Sequence, residues 1–270
     1  MSRKSCTLII GINSGIGEAL ASHLKLLNER VIGTSRCTSL SEENNGGIFH
    51  LDVSSPNSIS TFVEQFSAEY TWERLVFCPA VMTPIGPFKD IDIEEWIINY
   101  NINFTSQAYL LHKLLPVSQG VMPRVLFFAG GGTNSAPKYY SAYILSKIAL
   151  IKLVELLNEE MDDLCFSIIG PGWVNTRIHA QSIALGLEEL ESYKETSRRI
   201  QECDFVPMEK VVDSIMWVLS QSKEIVGGRN FSTAHDPYDS DELIRLISSD
   251  HNVFKLRRYG NSLSNRSQFQ

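Results

Sequence analysis

Thr7-Leu-Ile-Ile-Gly-Ile-Asn-Ser-Gly-Ile-Gly-Glu-Ala-Leu-Ala-Ser-His-Leu24 is the stretch that decides the fold. Its first four residues form a short apolar run of β-forming character that ends at Gly11. Three glycines follow in the spacing Gly11-x-x-x-Gly15-x-Gly17, and from Glu18 to Leu27 the apolar residues recur at helical spacing. The order is therefore strand, glycine turn, helix. Glycines in such a turn let the backbone bend sharply and let a ligand approach it closely. The helix start behind them offers unpaired N–H groups and the positive end of a dipole, which together grip a pyrophosphate. Gly11, Asn13, Ser14, Gly15, Ile16 and Gly17 are thus candidate contacts for a dinucleotide. Glycines also serve turn geometry alone, but the strand–turn–helix setting favours the binding reading.

The same alternation continues along the chain. Apolar runs at Arg30–Ser35, Gly47–Asp52, Arg74–Cys78, Val125–Ala129, Phe166–Ile169 and near Arg229–Thr233 read as strands. Between them, helical patterns are predicted at Pro56–Glu69, with Ser54 or Ser55 as N-cap, and at Ile91–Leu115, Tyr139–Met161 and Met208–Gln221. Strands that alternate with helices predict an α/β protein: a single Rossmann-type, doubly wound parallel sheet of about seven strands with helices on both faces. All strand C-termini then share one edge, where ligands bind. Residues 1–259 are expected to form one domain, with a charged substrate lid at about 176–205 and a flexible polar tail at 260–270.

Composition narrows the function classes. The chain has 270 residues, 24 Lys+Arg against 31 Asp+Glu and a net charge of −7, with 43% hydrophobic residues. That balance argues against a general nucleic-acid or membrane-surface binder. The longest apolar runs, Leu8–Ile10 and Val125–Ala129, fall far short of the roughly 18–20 residues a membrane span needs. The N-terminus carries no pattern of a signal peptide, so a cytoplasmic protein is expected. Cys6, Cys37, Cys78, Cys165 and Cys203 are odd in number with no CxxC pair, and read as reduced thiols, most of them in the core. No His or Cys spacing suits a metal, and His112 reads as a helix-flank residue.

Two further features carry chemistry. A carboxylate about 20 residues beyond the glycine turn would hold a ribose 2′-hydroxyl, whereas an Arg accommodates a 2′-phosphate. Ser35-Arg36 stands there, so Arg36 favours NADP(H) over NAD(H), and Asp52-Val53 after the third strand falls beside the adenine. In Tyr143-Ile-Leu-Ser-Lys147 a Tyr and a Lys share one helix face. An ammonium beside a phenol lowers its pKa from near 10 and makes it useful in proton transfer.

With these residues the chain resembles the short-chain dehydrogenase/reductases over about residues 7–235. The resemblance rests on the glycine turn, Asp52-Val53, Asn103, Tyr143-x-x-x-Lys147 and Pro171-Gly172-Trp173-Val174-Asn175-Thr176. It implies hydride transfer between a nicotinamide and a carbonyl or alcohol, with Tyr143 as acid/base and Lys147 assisting. Asn103 would hold a water in the proton relay, with Asn99 and Asn101 as alternatives. Pro171, Gly172, Val174 and Thr176 would contact the cofactor. The family commonly pairs its long helices, so a homodimer or homotetramer is expected; Ile97, Ile98, Leu110, Leu114, Ile151 and Leu157 are candidates for that face or for the core.

Two departures stand out. Phe77-Cys78-Pro79-Ala80 occupies the place of the family's Asn-Asn-Ala-Gly, with Ala80 retained as a candidate cofactor contact. The family's substrate-polarising Ser lies 13 residues before the Tyr, and Gly130 stands there. A hydroxyl from Thr133 or Ser135 replaces it, or backbone N–H groups of Gly130–Gly132 do so, or catalysis is lost and a non-catalytic NADP(H)-binding sensor or partner subunit remains. With the lid charges Arg177, His179, Gln181, Lys194, Arg198 and Arg199, the roomy glycine run would admit a polar or phosphorylated substrate, and the Gly-Gly-Gly segment and Leu256-Arg-Arg258 are similar to a subgroup found in bacterial surface-polysaccharide gene sets. That similarity implies a sugar-like or other polar small-molecule substrate, while the plainer reading of the lid charges is an exposed amphipathic helix pair.

Overall fold

The computed structural model describes residues 3–37, 47–176, 178, 191–238 and 240–258. Seven strands build one sheet: β1 (Lys4–Ile10), β2 (Val31–Ser35), β3 (Ile48–His50), β4 (Tyr70–Phe77), β5 (Arg124–Phe128), β6 (Cys165–Gly170) and β7 (Asn230–Ser232). Their order is β3-β2-β1-β4-β5-β6-β7, every pair parallel. Chain direction across the sheet therefore reverses between β1 and β4, and the crevice beyond their C-terminal ends is where such sheets bind ligands.

Helices cover both faces. On one side lie α2 (Pro56–Glu69), α4 (Ser106–Leu114) and α5 (Ser141–Glu160), packed over Leu8, Trp72, Phe77 and Phe127 of the sheet, with Phe62 and Phe66 of α2 turned inward. On the other lie α1 (Gly15–Leu26), α7 (Met208–Ser220) and α9 (Asp241–Ser249), over Ile9, Leu24, Ile169 and Phe231. The remaining helices are α3 (Ile93–Tyr100), α6 (Glu191–Glu202) and the short α8 (Lys223–Val226). Ser55 caps α2, its Oγ accepting the Ser58 N–H, and Pro56 fills the first helical position, where its missing N–H costs nothing.

Several boundaries differ from expectation for physical reasons. β4 begins four residues early, at Tyr70, because a register shift between Cys6 and Thr7 lets β1 pair back to Lys4. The expected single helix over Ile91–Leu115 is three pieces: α3, a π-turn at Asn101–Thr105, and α4. The C-terminal helix α9, capped by Ser240 with Leu243 and Ile247 inward, has a pattern short enough to escape the sequence reading. The cysteines are unpaired, but only Cys6 and Cys165 are buried. Cys37 lies beyond the end of β2, and Cys203 takes φ +52° just past α6, so the expectation of mostly core thiols fails at both. Arg177, His179, Gln181 and the 260–270 tail lie outside the described residues.

Candidate active site

The glycine turn leaves β1 and starts α1. Gly11 takes φ +79°, a left-handed conformation that disfavours a side chain, and donates its N–H to Thr34 Oγ1 at 3.0 Å. Ser14 caps α1, its Oγ accepting from Gly17 N at 3.0 Å. A Cβ on Gly17 would stand 2.5 Å from the Gly11 carbonyl oxygen, and one on Gly15 would stand 2.9 Å from Thr176 Cγ2. The turn is thus closed on itself and against the segment beyond β6. Asn13 is partly exposed on its rim, while Ile16 packs on the core beneath it.

Arg36 is exposed directly after β2, at the same corner as Asp52. The Ser54 hydroxyl, donating to Asp52 Oδ1 at 2.7 Å, does most to hold that carboxyl below its usual range. Burial opposes it, and the Ser54 N–H, Arg36 and His50 add to the lowering. Val53 is buried in the core.

Beyond β4, three amides on one helix face clamp the chain from Pro79 to Thr83. Asn103 Oδ1 accepts the Val81 N–H at 2.9 Å, and its Nδ2 donates to Val81 O at 2.8 Å and Asn99 Oδ1 at 2.9 Å. Asn99 Nδ2 donates to Val81 O and Thr83 O, and Gln107 Nε2 to Pro79 O. Asn99 and Asn103 are both buried, whereas Asn101 is exposed. The π-turn falls within this ladder, at Asn101–Thr105. Spacing 99, 103, 107 was the available signal for Gln107, whose part the sequence reading missed. Cys78 faces the turn; burial pushes its thiol up to about 12, while the Ser14 hydroxyl and the Lys147 ammonium act the other way. Ala80 is partly exposed beside it.

Tyr143 and Lys147 stand on the inward face of α5, whose first turn is pinned by Trp96 Nε1 donating to Ser141 Oγ at 3.0 Å. Lys147 Nζ donates to Phe128 O at 3.0 Å and lies 5.7 Å from the Tyr143 ring centroid. Burial pushes the Tyr143 phenol up to about 12 and pulls the Lys147 ammonium down to about 8. The expected lowering of the tyrosine is thus reversed in the protein itself: both groups are desolvated, and the ammonium is committed to a carbonyl.

Gly130 explains where the tyrosine sits. A Cβ on that residue would lie 2.6 Å from both Tyr143 Oη and Cε1, so the phenol occupies the space a side chain there would need. Thr133 Oγ1 turns back toward the Gly130 carbonyl, at 3.5 Å, and Ser135 is exposed. On the far side of the crevice Pro171 is partly exposed, Gly172 takes φ +78° against Val206, and Val174 is buried. Trp173 carries the Arg199 guanidinium of α6 over its ring at 4.9 Å. Glycine turn, Tyr143, Lys147 and the Pro171–Thr176 segment therefore meet at the C-terminal edge of the sheet.

Comparison with known proteins agrees with this arrangement. The family model described as Enoyl-(Acyl carrier protein) reductase matches residues 11–233. An uncharacterized oxidoreductase of Schizosaccharomyces pombe is 28% identical over 178 residues, 63% of this chain and 70% of its own. A chloroplastic NADPH-dependent aldehyde reductase-like protein of Arabidopsis thaliana is 24% identical over 252 residues, 82% of this chain and 92% of its own. The crystal structure of a Saccharomyces cerevisiae short-chain dehydrogenase/reductase superposes with a TM-score of 0.79 at 22% identity, covering 88% of this chain and 98% of that one. The parallel seven-stranded sheet is the fold of that structure, and the family model covers more than half of the chain: the chain is a member of the short-chain dehydrogenase/reductase family.

Proposed function

We propose that this oxidoreductase reduces a small-molecule ketone or aldehyde with NADPH, and that Tyr143 supplies the proton. The observation that carries the reading is the buried Tyr143 hydroxyl on the same helix face as Lys147, at the edge where the glycine turn opens. A dinucleotide fits the residues present: α1 begins there with a capped N-terminus, and Gly15 and Gly17 lie where Cβ atoms would collide. Arg36, exposed at the end of β2 with no carboxylate in its place, supports a 2′-phosphate and hence NADP(H). The name of the Arabidopsis relative points the same way.

When bound, the cofactor supplies the hydride. With it bound, Tyr143 Oη would give its proton to the substrate's carbonyl oxygen, so that carbonyl, NADPH and a proton would give alcohol and NADP+. A phenol pushed up to about 12 keeps its proton at neutral pH, which favours reduction over the reverse oxidation. Lys147 holds positive charge beside the phenolate that forms, and Asn103, locked by Val81, fixes the helix geometry behind the proton relay. Gly130 contributes backbone rather than a hydroxyl, and the space a serine side chain would fill there is taken by the Tyr143 phenol.

Tyr143→Phe should lower turnover by roughly 10²–10⁴ and leave NADPH affinity within about twofold. Arg36→Ala should weaken NADPH by about tenfold or more and NADH little, since a charged hydrogen bond is worth ~1.5–3 kcal/mol. Calorimetric titration with each cofactor, paired with steady-state rates, checks both. Turnover that persists in Tyr143→Phe removes the acid assignment, and tight cofactor binding without any turnover favours the non-catalytic sensor or partner subunit.

Assembly follows from the same helices. Leu110, Leu114 and Ile151 are in the core and Leu157 packs against it, but Ile97 and Ile98 are 43% and 53% exposed, with Ile93, Leu145 and Leu156 also outward. α3 and α5 touch each other, so these residues support pairing of two copies into a homodimer or, repeated, a homotetramer.

A further inference from the structure

We propose that the carbonyl compound accepted by this site is uncharged and apolar, an aromatic or branched aliphatic ketone or aldehyde, and not a sugar or a phosphorylated compound. The proposal rests on the reductase reading above and names its substrate class. Its first support is what surrounds Tyr143. Met82, Ile85, Tyr143 and Ile144 form a buried apolar cluster of their own, separate from the two cores that flank the sheet. Tyr139, Tyr140, Ile148 and Ile178 pack against it. The loop after β4 is tied to this wall by the Gly86 N–H, which donates to Tyr139 O at 3.0 Å.

The opposite wall is backbone. Gly130 lies against the phenol, and Gly132 lies where a Cβ would meet Pro137 Cγ at 2.7 Å and Ile144 Cδ1 at 3.0 Å. Gly131 between them is exposed, and a Cβ there would meet nothing within 4 Å, so the segment is open to solvent beside the apolar cluster. Thr133, the nearest hydroxyl on this segment, faces the Gly130 carbonyl. A polyol hydroxyl set against Ile85 or Ile144 of this cluster would go unmatched, at roughly tenfold in affinity each. A flat apolar group would instead gain from burial.

The second support is independent and electrostatic. Among the described residues, three arginines that could attract a phosphate or an acidic sugar are already paired. Arg198 pairs with Glu195, Glu202 and Asp204, and Arg199 pairs with Glu195 and Asp204 while stacking on Trp173. Arg257, from the Leu256-Arg-Arg258 run, is paired with Glu155 on α5. Among the described residues of α6, these arginines serve the fold of the segment over Trp173 rather than an incoming anion.

The test is steady-state reduction by the full-length protein with NADPH, using benzaldehyde, 1-phenyl-1,2-propanedione and cyclohexanone against D-xylose, D-glucose and ribose 5-phosphate. The apolar set should exceed the sugars by about 100-fold or more in kcat/KM. Ile85→Asn and, as a milder control for folding, Met82→Gln should each raise KM for the apolar substrates by about tenfold while NADPH affinity stays unchanged. Turnover of a sugar or sugar phosphate equal to or above the apolar set overturns the proposal. So does failure to reduce any apolar carbonyl when titration shows NADPH bound, or an unchanged KM in both folded variants. Absence of NADPH binding, by contrast, brings down the reductase reading itself and the substrate class with it.

Discussion

Gly130 and Tyr143 share one volume. Adding a side chain at 130, even the serine usual in the family, puts its Cβ 2.6 Å from the phenol oxygen that it would be meant to assist. Gly130→Ser should therefore displace the tyrosine, lower stability by ~1–3 kcal/mol as overpacking does, and cut kcat/KM by up to about 10². Urea denaturation and steady-state rates check it; a gain in rate would show that the phenol yields easily. Lys147 sets the pH response. Its ammonium, pulled down to about 8 by burial with Cys78 acting against that, loses its proton well before Tyr143 does at about 12. Reduction should fall as pH rises through about 8, and Lys147→Arg, which stays charged, should move that fall upward in a kcat/KM profile. Stability carries the opposite sign for the two groups. Between about 8 and 10.5 the unfolded chain binds the extra lysine proton, so stability rises with pH. Between 10 and about 12 the folded chain retains the tyrosine proton, so stability falls.

The amide ladder belongs to the level of elements. Asn99, Asn103 and Gln107 project from one helical face across the π-turn to the carbonyls of Pro79, Val81 and Thr83, and so brace the strand end that the Cys78-Pro79-Ala80 segment leaves without side-chain amides. Asn99→Ala or Asn103→Ala should each cost ~1–3 kcal/mol, because buried carbonyls lose their donors. The double variant should cost less than the sum, since the two amides bond each other and share Val81 O. Equilibrium denaturation of the three variants measures this. The ladder also marks how far the sequence could be read. The alternation of apolar runs with helical patterns placed every strand of the sheet, because buried parallel strands and amphipathic helices have distinct periods. Tyr143, Lys147 and the glycine turn were legible because their chemistry requires particular residue types at fixed spacings. The break in the long helix was not, since nothing in Asn101-Ile-Asn-Phe-Thr105 lowers helix propensity sharply; partners some 20 residues upstream accompany it. Nor was the direction of the Tyr143 shift, which depends on burial.

At the scale of the whole molecule, the outward isoleucines of α3 are the feature to test. Light scattering should find a dimer or larger at micromolar concentration, and Ile97→Glu with Ile98→Glu should shift it to monomer without unfolding. A monomeric parent protein would assign those residues to the surface alone. The contact between Gly15 and Thr176 bears on something else, the history of each chain. During synthesis the glycine turn emerges early, yet the threonine that closes it follows six of the seven strands. An unfinished chain thus carries half a cradle and has little means of holding a nucleotide. Under the proposed function, cellular NADPH would shield completed molecules from unfolding by mass action and leave incomplete ones to the proteases.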